Sequence, residues 1–268
     1  MIHIKSEREI EAMKASAEIL GKAHKKAESI IKAGISTKEI DMAIHKVITE
    51  NGATPSFLDY RGYPASSCIS INDVVIHGIP SAHEKLQEGD IVSIDIGVYY
   101  NGYHSDCART YPVGRIKEEH QKLIDVTRES FYEGLQFAQA GHRLGDLSHA
   151  IQAYVEKHQM TVVKEFTGHG VGKKLHEDPA VPNYGAAGKG VVLRPGMTLA
   201  VEPMVNLGTA SIKIMPDQWT VKTVDGEYSA HFEQTILITE EGPVILRPRP
   251  ETVCSTSNMS RSASAPKP

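Results

Sequence analysis

The sequence predicts an α+β fold of two related halves, each a pair of helices followed by strands, with the helices covering an antiparallel sheet. Three observations predict it. Each half has two long segments whose apolar residues recur at helical spacing. The stretches after them read as short apolar or alternating runs, as strands do. Apolar positions of the first helix pair return in the second at a constant offset of 107 residues.

Residues 6–33 form the first helical pattern. Ser6 followed by Glu9 has the form of a capping box. Ile10, Met13, Ala17, Leu20, Ala23, Ala27 and Ile30 recur on one face. Gly34 stops this helix. A second starts near Ser36–Thr37 and runs to Gly52, with Ile40, Ala43, Ile44, Val47 and Ile48 together. Strands are expected within 66–77 and 90–111, helices at 117–140 and 145–159, and mainly strands and loops over 160–240. Ala33-Gly34, Ile40, Ala43, Ile44 and Ile48 match Ala140-Gly141, Leu147, Ala150, Ile151 and Val155. Read as a duplication, this gives pseudo-repeats of about 1–110 and 111–250, packed about a pseudo-twofold axis. Their strands would join in one sheet, and a cleft between them would be the natural site. Two amphipathic helix pairs can also share such a pattern by chance, and both readings stand on pattern alone. A single domain over 1–250 is expected, followed by a disordered Ser/Ala/Pro-rich tail over 251–268.

The 268 residues carry 40% hydrophobic and 23% charged side chains, an ordinary balance for a globular protein. The formal net charge of −4 gives no footing for broad nucleic-acid binding, and no nucleic-acid motif is present. The N-terminus is charged and amphipathic, unlike a signal peptide. No apolar run approaches the ~20 residues that span a bilayer. Three cysteines without CxxC spacing argue against a disulfide framework. A reduced, cytoplasmic location is expected.

The segment SIDIGVYYNGYHSDCART contains Asn101-Gly102, a hairpin signal. Pairing Tyr100 with Tyr103 puts Gly97 opposite Asp106 and Asp95 opposite Ala108. Alternation then places Asp95, Gly97, Asp106 and Ala108 on one face, and Val92, Ile94, Ile96 and Val98 on the other. Asp95 and Asp106 become diagonal neighbours, about 7–8 Å apart in backbone, near enough to share a cation. Gly97 is expected to leave open space beside them. A hairpin with one polar face is also what simple half-solvation produces.

Three further sites add donors. His169 lies in Thr167-Gly168-His169-Gly170-Val171-Gly172, where flanking glycines allow close approach of a ligand; a His in such a turn is otherwise a surface residue. Glu202 directly follows the apolar run Leu199-Ala200-Val201 and precedes Pro203, at an expected strand end. Glu233 alternates with His231 and Thr235 on an expected strand. Each reads singly as an exposed edge residue. Together, four carboxylates and one imidazole suit two divalent cations, and the lack of thiolate favours Co, Mn, Fe(II) or Zn.

With these residues in view, the chain resembles the type I methionine aminopeptidases. The matching pieces are YRGYPASSCISINDVVIHGIP at 60–80, DIG at 95–97, HSDCART at 104–110, TGHGVG at 167–172, LHEDP at 175–179, VEP at 201–203 and EQT at 233–235. They cover most of residues 1–250 in the family's order. The resemblance implies the pita-bread fold and removal of N-terminal methionine by two-metal hydrolysis. It implies that Asp106 and Glu233 bridge both ions, Asp95 holds one, and His169 and Glu202 complete the other. Glu202 would also shuttle the proton. His77 would bond the scissile amide, and His176 the substrate carbonyl. Tyr60, Tyr63, Cys68, His77, His176 and Trp219 would contact substrate, most of them around its methionine side chain. Phe57 and Leu175 depart from some members at the pocket edge, which bears on its outline.

Asn72, Val74 and Ser229 match a monovalent-cation site for Na or K. The implied partners are nascent polypeptide N-termini, with a small second residue favoured, and the ribosome exit region; a monomer is expected. Proline-specific peptidases and creatinases share the fold and most of the cage, but usually add an N-terminal domain. The zinc-binding extension of eukaryotic type I enzymes and the helical insertion of type II enzymes are missing, so a bacterial-type minimal form fits. A non-catalytic binding module on this fold would typically have lost metal ligands, and all five are present.

Overall fold

The computed structural model describes residues 1–246, so the tail expected over 251–268 lies outside the described residues. Helices α1 (Glu7–Ile30) and α2 (Thr37–Glu50) open the first half. Helices α3 (Glu118–Leu135) and α4 (Leu144–Lys157) open the second. At the start of α1, Glu9 Oε2 accepts from the backbone N–H and the Oγ of Ser6, each at 2.9 Å. Ser36 and Glu39 repeat this at α2. Helix α1 ends at Ile30, short of the predicted boundary, and Gly34 at φ +90° makes the turn to α2 instead. Such a positive φ is cheap for glycine alone.

The buried stripe of α1 includes two polar residues that apolar periodicity passes over. Ser16 Oγ donates to the Val98 carbonyl at 2.8 Å, and His24 Nε2 bonds the Cys107 carbonyl at 2.9 Å. Both satisfy polar atoms that would otherwise be stranded in the core.

Five strands follow α2: β1 Thr54–Pro55, β2 Ser67–Ile71, β3 Val74–Ile76, β4 Ile91–Tyr100 and β5 Tyr103–Pro112. The β4–β5 register pairs Tyr100 with Tyr103, Gly97 with Asp106 and Asp95 with Ala108, as the Asn-Gly turn predicts. Val92, Ile94, Ile96 and Val98 are fully buried, packed with Leu20, Ile40, Ile44 and Ile48 of α1 and α2. At ~25 cal/mol per Å² this apolar face is what seats the helix pair on the sheet. The Asp95–Asp106 face is thereby turned away from the helices.

Ten described strands follow α4. They are β6 Thr161–Val162, β7 Gly168–Gly170, β8 Glu177–Val181, β9 Thr198–Val201 and β10 Met204–Asn206, then β11 Ile212–Ile214, β12 Val221–Thr223, β13 Ser229–His231, β14 Gln234–Thr239 and β15 Gly242–Ile245. A second core joins Phe131, Leu147 and Ile151 of α3 and α4 to Leu199, Val201, Ile236 and Ile238. The strands, expected to join in one sheet, divide by hydrogen bonding into four antiparallel groups. The reason is local. The chain leaves the sheet of β9 and β14 for that of β10 and β13 at residues 202–203 and returns to it at residues 232–233. A hydrogen bond from Phe232 N to the Pro203 carbonyl, at 3.1 Å, ties these two corners together.

Loop hydrogen bonds recur between the halves. Gly34 N donates to Leu86 O and Leu86 N to Ile35 O; Gly141 N donates to Leu193 O and Leu193 N to His142 O. Thr37 N with Glu84 O likewise matches Leu144 N with Val191 O. The halves meet where β5 faces the β13–β14 corner. There Glu233 N donates to Ala108 O at 2.9 Å. Thr235 Oγ1 bonds both the N–H and the carbonyl of Asp106, and Thr110 Oγ1 does the same for His231.

Candidate metal centre and substrate pocket

The seam between the halves gathers the acidic residues. Asp95 comes from β4 and Asp106 from β5; Glu202 and Glu233 stand in the two corners; His169 comes from β7. Oxygen or nitrogen atoms of Asp106, His169 and Glu233 lie within 4.8 Å of one another, and so do those of Glu202, His231 and Glu233. His169 Nε2 is 3.8 Å from Asp106 Oδ2 and 3.6 Å from Glu202 Oε1. Its Nδ1–H donates to the Gly170 carbonyl at 2.8 Å, which leaves the Nε2 lone pair toward the carboxylates. An imidazole so oriented by its other nitrogen is a ready metal ligand.

Electrostatics points the same way. Burial pushes the Asp95 carboxyl up to about 7, with Glu202 adding to the rise and His231 opposing it. Burial also raises Glu202 to about 7, against the pull of His169. Asp106 and Glu233 rise well above the carboxylate range, first from burial and then from their acidic neighbours. Asp95 Oδ1, Asp106 Oδ1 and Glu233 Oε1 are buried without a hydrogen-bond partner. Orphaned, mutually repelling carboxylates are costly unless cations neutralise them. The oxygen and nitrogen donors therefore fit divalent ions.

His231 belongs to this group, and the sequence pattern gave it no role. It is 2% exposed, its Nε2 has no partner, and it lies 3.5 Å from Glu202 Oε2. Its position two residues before Glu233 was the available signal. The strand expected to carry both is broken between β13 and β14, so long-range pairing sets their approach.

Two small-residue expectations are corrected. A Cβ on Gly97 would meet the Phe57 ring at 2.6 Å and Ser56 Cβ at 2.7 Å, so the space beside the aspartates is filled. Around His169 it is neighbouring backbone that approaches. A Cβ on Gly170 would lie 2.2 Å from the Asp178 carbonyl oxygen.

Above the acidic floor lies an apolar cluster. Phe57, Tyr63, Ala65, Cys68 and Leu175 pack together, with Tyr60, Ile79 and Trp219 against them. Tyr63 and Trp219 meet edge to face at 5.1 Å. His77, at φ +59°, faces Trp219 at 6.3 Å and Phe166 at 5.7 Å. Cys68 is the cross-strand partner of Asp95, which sets the cluster beside the acidic floor. His176 stacks on Tyr60, whose hydroxyl is 2.9 Å from Nδ1, and its ring lies 4.2 Å from that of His169. Burial and then His169 pull the His176 pKa down to about 3; burial and then His231 pull His77 down to about 4. Both imidazoles are neutral at pH 7.

Asn72, Val74 and Ser229 lie apart from this cluster. Asn72 Oδ1 accepts from Ile91 N, its Nδ2 donates to Asp90, and its carbonyl accepts from Ser229 N at 2.8 Å. Ser229 Oγ donates to the Val205 carbonyl, and Val74 is buried in β3.

The model of metallopeptidase family M24 matches residues 11–240. Methionine aminopeptidase 1 of Bacillus subtilis is 52% identical over 246 residues, covering 92% of this chain and 99% of that protein. A crystal structure of a methionine aminopeptidase from Thermotoga maritima superposes with a TM-score of 0.90 at 44% identity, covering 92% of this chain and 99% of that one. A prolidase from Pyrococcus furiosus shares the fold more distantly, with a TM-score of 0.75 at 26% identity over 92% of this chain and 66% of its own.

Proposed function

The chain belongs to metallopeptidase family M24, and on that premise we propose that it is a methionine aminopeptidase, removing the initiator methionine from nascent proteins and peptides. The observation that carries this reading is the apolar cluster of Tyr63, Cys68 and Trp219 set beside an acidic floor through the Cys68–Asp95 pair. A thioether side chain suits an aromatic and sulfur-lined pocket. An N-terminal residue bound there has its carbonyl above the carboxylates.

Asp95, Asp106, His169, Glu202 and Glu233 would hold two divalent ions, with Asp106 and Glu233 shared between them. Bound there, the ions would supply a Lewis acid for the scissile carbonyl and lower the pKa of the attacking water. Glu202, already raised toward neutrality by burial, takes a proton from that water and passes it toward the leaving amine. His176, neutral and braced by the Tyr60 hydroxyl, donates to the carbonyl oxygen as negative charge develops. His77 bonds the scissile amide, and the Asp95 end receives the free amine. That requirement restricts cleavage to N-termini.

The donor set suits Co, Mn, Fe(II) or Zn. A Na or K ion held by Asn72, Val74 and Ser229 would be structural. The organisation in this reading is one catalytic unit over 1–250 in two pseudo-repeats, about 1–110 and 111–250, supported by the recurring loop hydrogen bonds. Among the described residues no helix is long and apolar enough to cross a membrane. A monomer acting in the cytoplasm near the ribosome exit completes the reading.

The test is a metal titration with Met-Ala-Ser and Ala-Pro peptides as substrates. Metal-dependent release of methionine from the first is expected, with a small second residue favoured. Cleavage of the proline peptide alone would overturn the methionine assignment. No cleavage at full metal occupancy would favour a non-catalytic binding module.

A further inference from the structure

The residues ahead of α1 lie against the loop that bears His176. Lys5 is the centre of this contact. Its side chain is only 2% exposed, and its Nζ donates to Glu177 Oε2 at 2.7 Å. Its backbone N–H donates to the Gly196 carbonyl at 2.8 Å, so the arm is fixed at both ends of the residue. Glu177 is the neighbour of His176, and its Oε1 accepts from Lys174 N at 3.1 Å. The loop 174–177 is thus closed on a carboxylate that Lys5 holds from below.

The packing around the pair is tight. A Cβ on Gly172 would lie 2.7 Å from both Glu177 Oε1 and Lys5 Cε, so any larger residue there would have to displace the ends of the paired side chains. Outer contacts reinforce it. Lys173 Nζ lies 3.6 Å from Glu9 Oε1, which also accepts from the Tyr103 hydroxyl at 2.8 Å. The N-terminal ammonium of Met1 pairs with Asp178. Met1 and His3 line the same cavity as His169 and His176.

A buried ion pair is a weak source of stability, because desolvation offsets its attraction. An apolar pair of similar volume would pack the arm as well. What the ion pair adds is direction, since the ammonium fixes where Glu177 stands and so where the next residue points. We propose that Lys5 is a positioning residue for His176, holding its loop through Glu177 so that the imidazole meets the substrate carbonyl. The inference rests on the role given to His176 above.

The test uses the metal-loaded full chain and Met-Ala-Ser, with Lys5→Met, Lys5→Arg, His176→Ala and the double variant Lys5→Met/His176→Ala. Lys5→Met is expected to lower kcat by about tenfold or more, the scale of an Å-level misplacement, with KM within about twofold. Lys5→Arg recovers most of the loss. In the His176→Ala background, Lys5→Met lowers kcat no further, because the residue through which it acts is gone. An equal loss from Lys5→Met with and without His176 would overturn the proposal, since a general structural role gives that result. Wild-type kcat in Lys5→Met beside an impaired His176→Ala would overturn it alone. Wild-type kcat in His176→Ala would overturn the role of His176 and the proposal with it. If Lys5→Met fails to fold, Glu177→Gln interrogates the same pair from the other side and is held to the same outcomes.

Discussion

The floor of the cleft and its rim respond to burial in opposite directions. On the floor, Asp95, Asp106, Glu202 and Glu233 are pushed toward protonation, because burial disfavours the anion. On the rim, His77 and His176 are pushed toward the neutral form, because burial disfavours the cation. The supports differ too. The floor stands on strands and strand corners that Thr110 and Thr235 tie across the seam. The rim stands on loops, tied by the Tyr60–His176 contact and the Lys5–Glu177 pair. The contrast teaches that the floor is built to be neutralised from outside, by cations. The rim is neutral already and offers hydrogen bonds.

The sharpest break in that comparison comes from Glu202, the floor residue proposed also to move a proton. Glu202→Ala should lower kcat by roughly 10²–10⁴-fold while circular dichroism stays native. Wild-type turnover would remove Glu202 from the mechanism. A rim variant should cost less and leave the metals alone. His176→Ala is expected to lower kcat about 10²-fold with metal content unchanged by elemental analysis; loss of metal would move His176 to the floor. Smaller again is the pocket. Trp219→Ala should raise KM for Met-Ala-Ser by about tenfold with little change in kcat, as for uniform binding. A fall in kcat at constant KM would assign Trp219 to the chemistry.

The smallest effect lies in pH dependence. In metal-free protein the floor carboxyls have folded pKa values above their unfolded ones. For Asp95 and Glu202 that contribution is present below about pH 4 and lost as pH rises through about 7. The rim histidines have depressed values, so their contribution is present above about pH 6.5 and lost as pH falls toward 3 to 4. Asp95→Asn should therefore stabilise the metal-free protein more at pH 8 than at pH 5, by on the order of 1 kcal/mol in urea unfolding. An equal effect at both values would deny the repulsion.

The two regions also differ in how far the sequence discloses them. Asp95 and Asp106 are legible because Asn101-Gly102 fixes the hairpin register and strand alternation does the rest. The helix-facing side of the same hairpin is legible for the same reason. Glu202 is legible as a strand end before proline. His231 is not, because its approach to Glu202 depends on a corner between two sheets. Thr110 and Thr235 are hidden likewise, each bonding a backbone more than a hundred residues away. Gly97 misleads because a small residue reports space without saying that Phe57 fills it. The rim is the least legible part. Tyr60 and His176 lie 116 residues apart on separate loops, and only the family motifs bring them together on paper.

In the proposed centre two ions share the floor, and Asp106 is the residue proposed to serve both. A calorimetric titration of metal-free Asp106→Asn with Mn or Co tests this most directly. If Asp106 serves both ions, both binding events weaken together relative to wild type. If one event keeps its wild-type affinity while the other is lost, Asp106 serves a single ion and the shared floor is wrong.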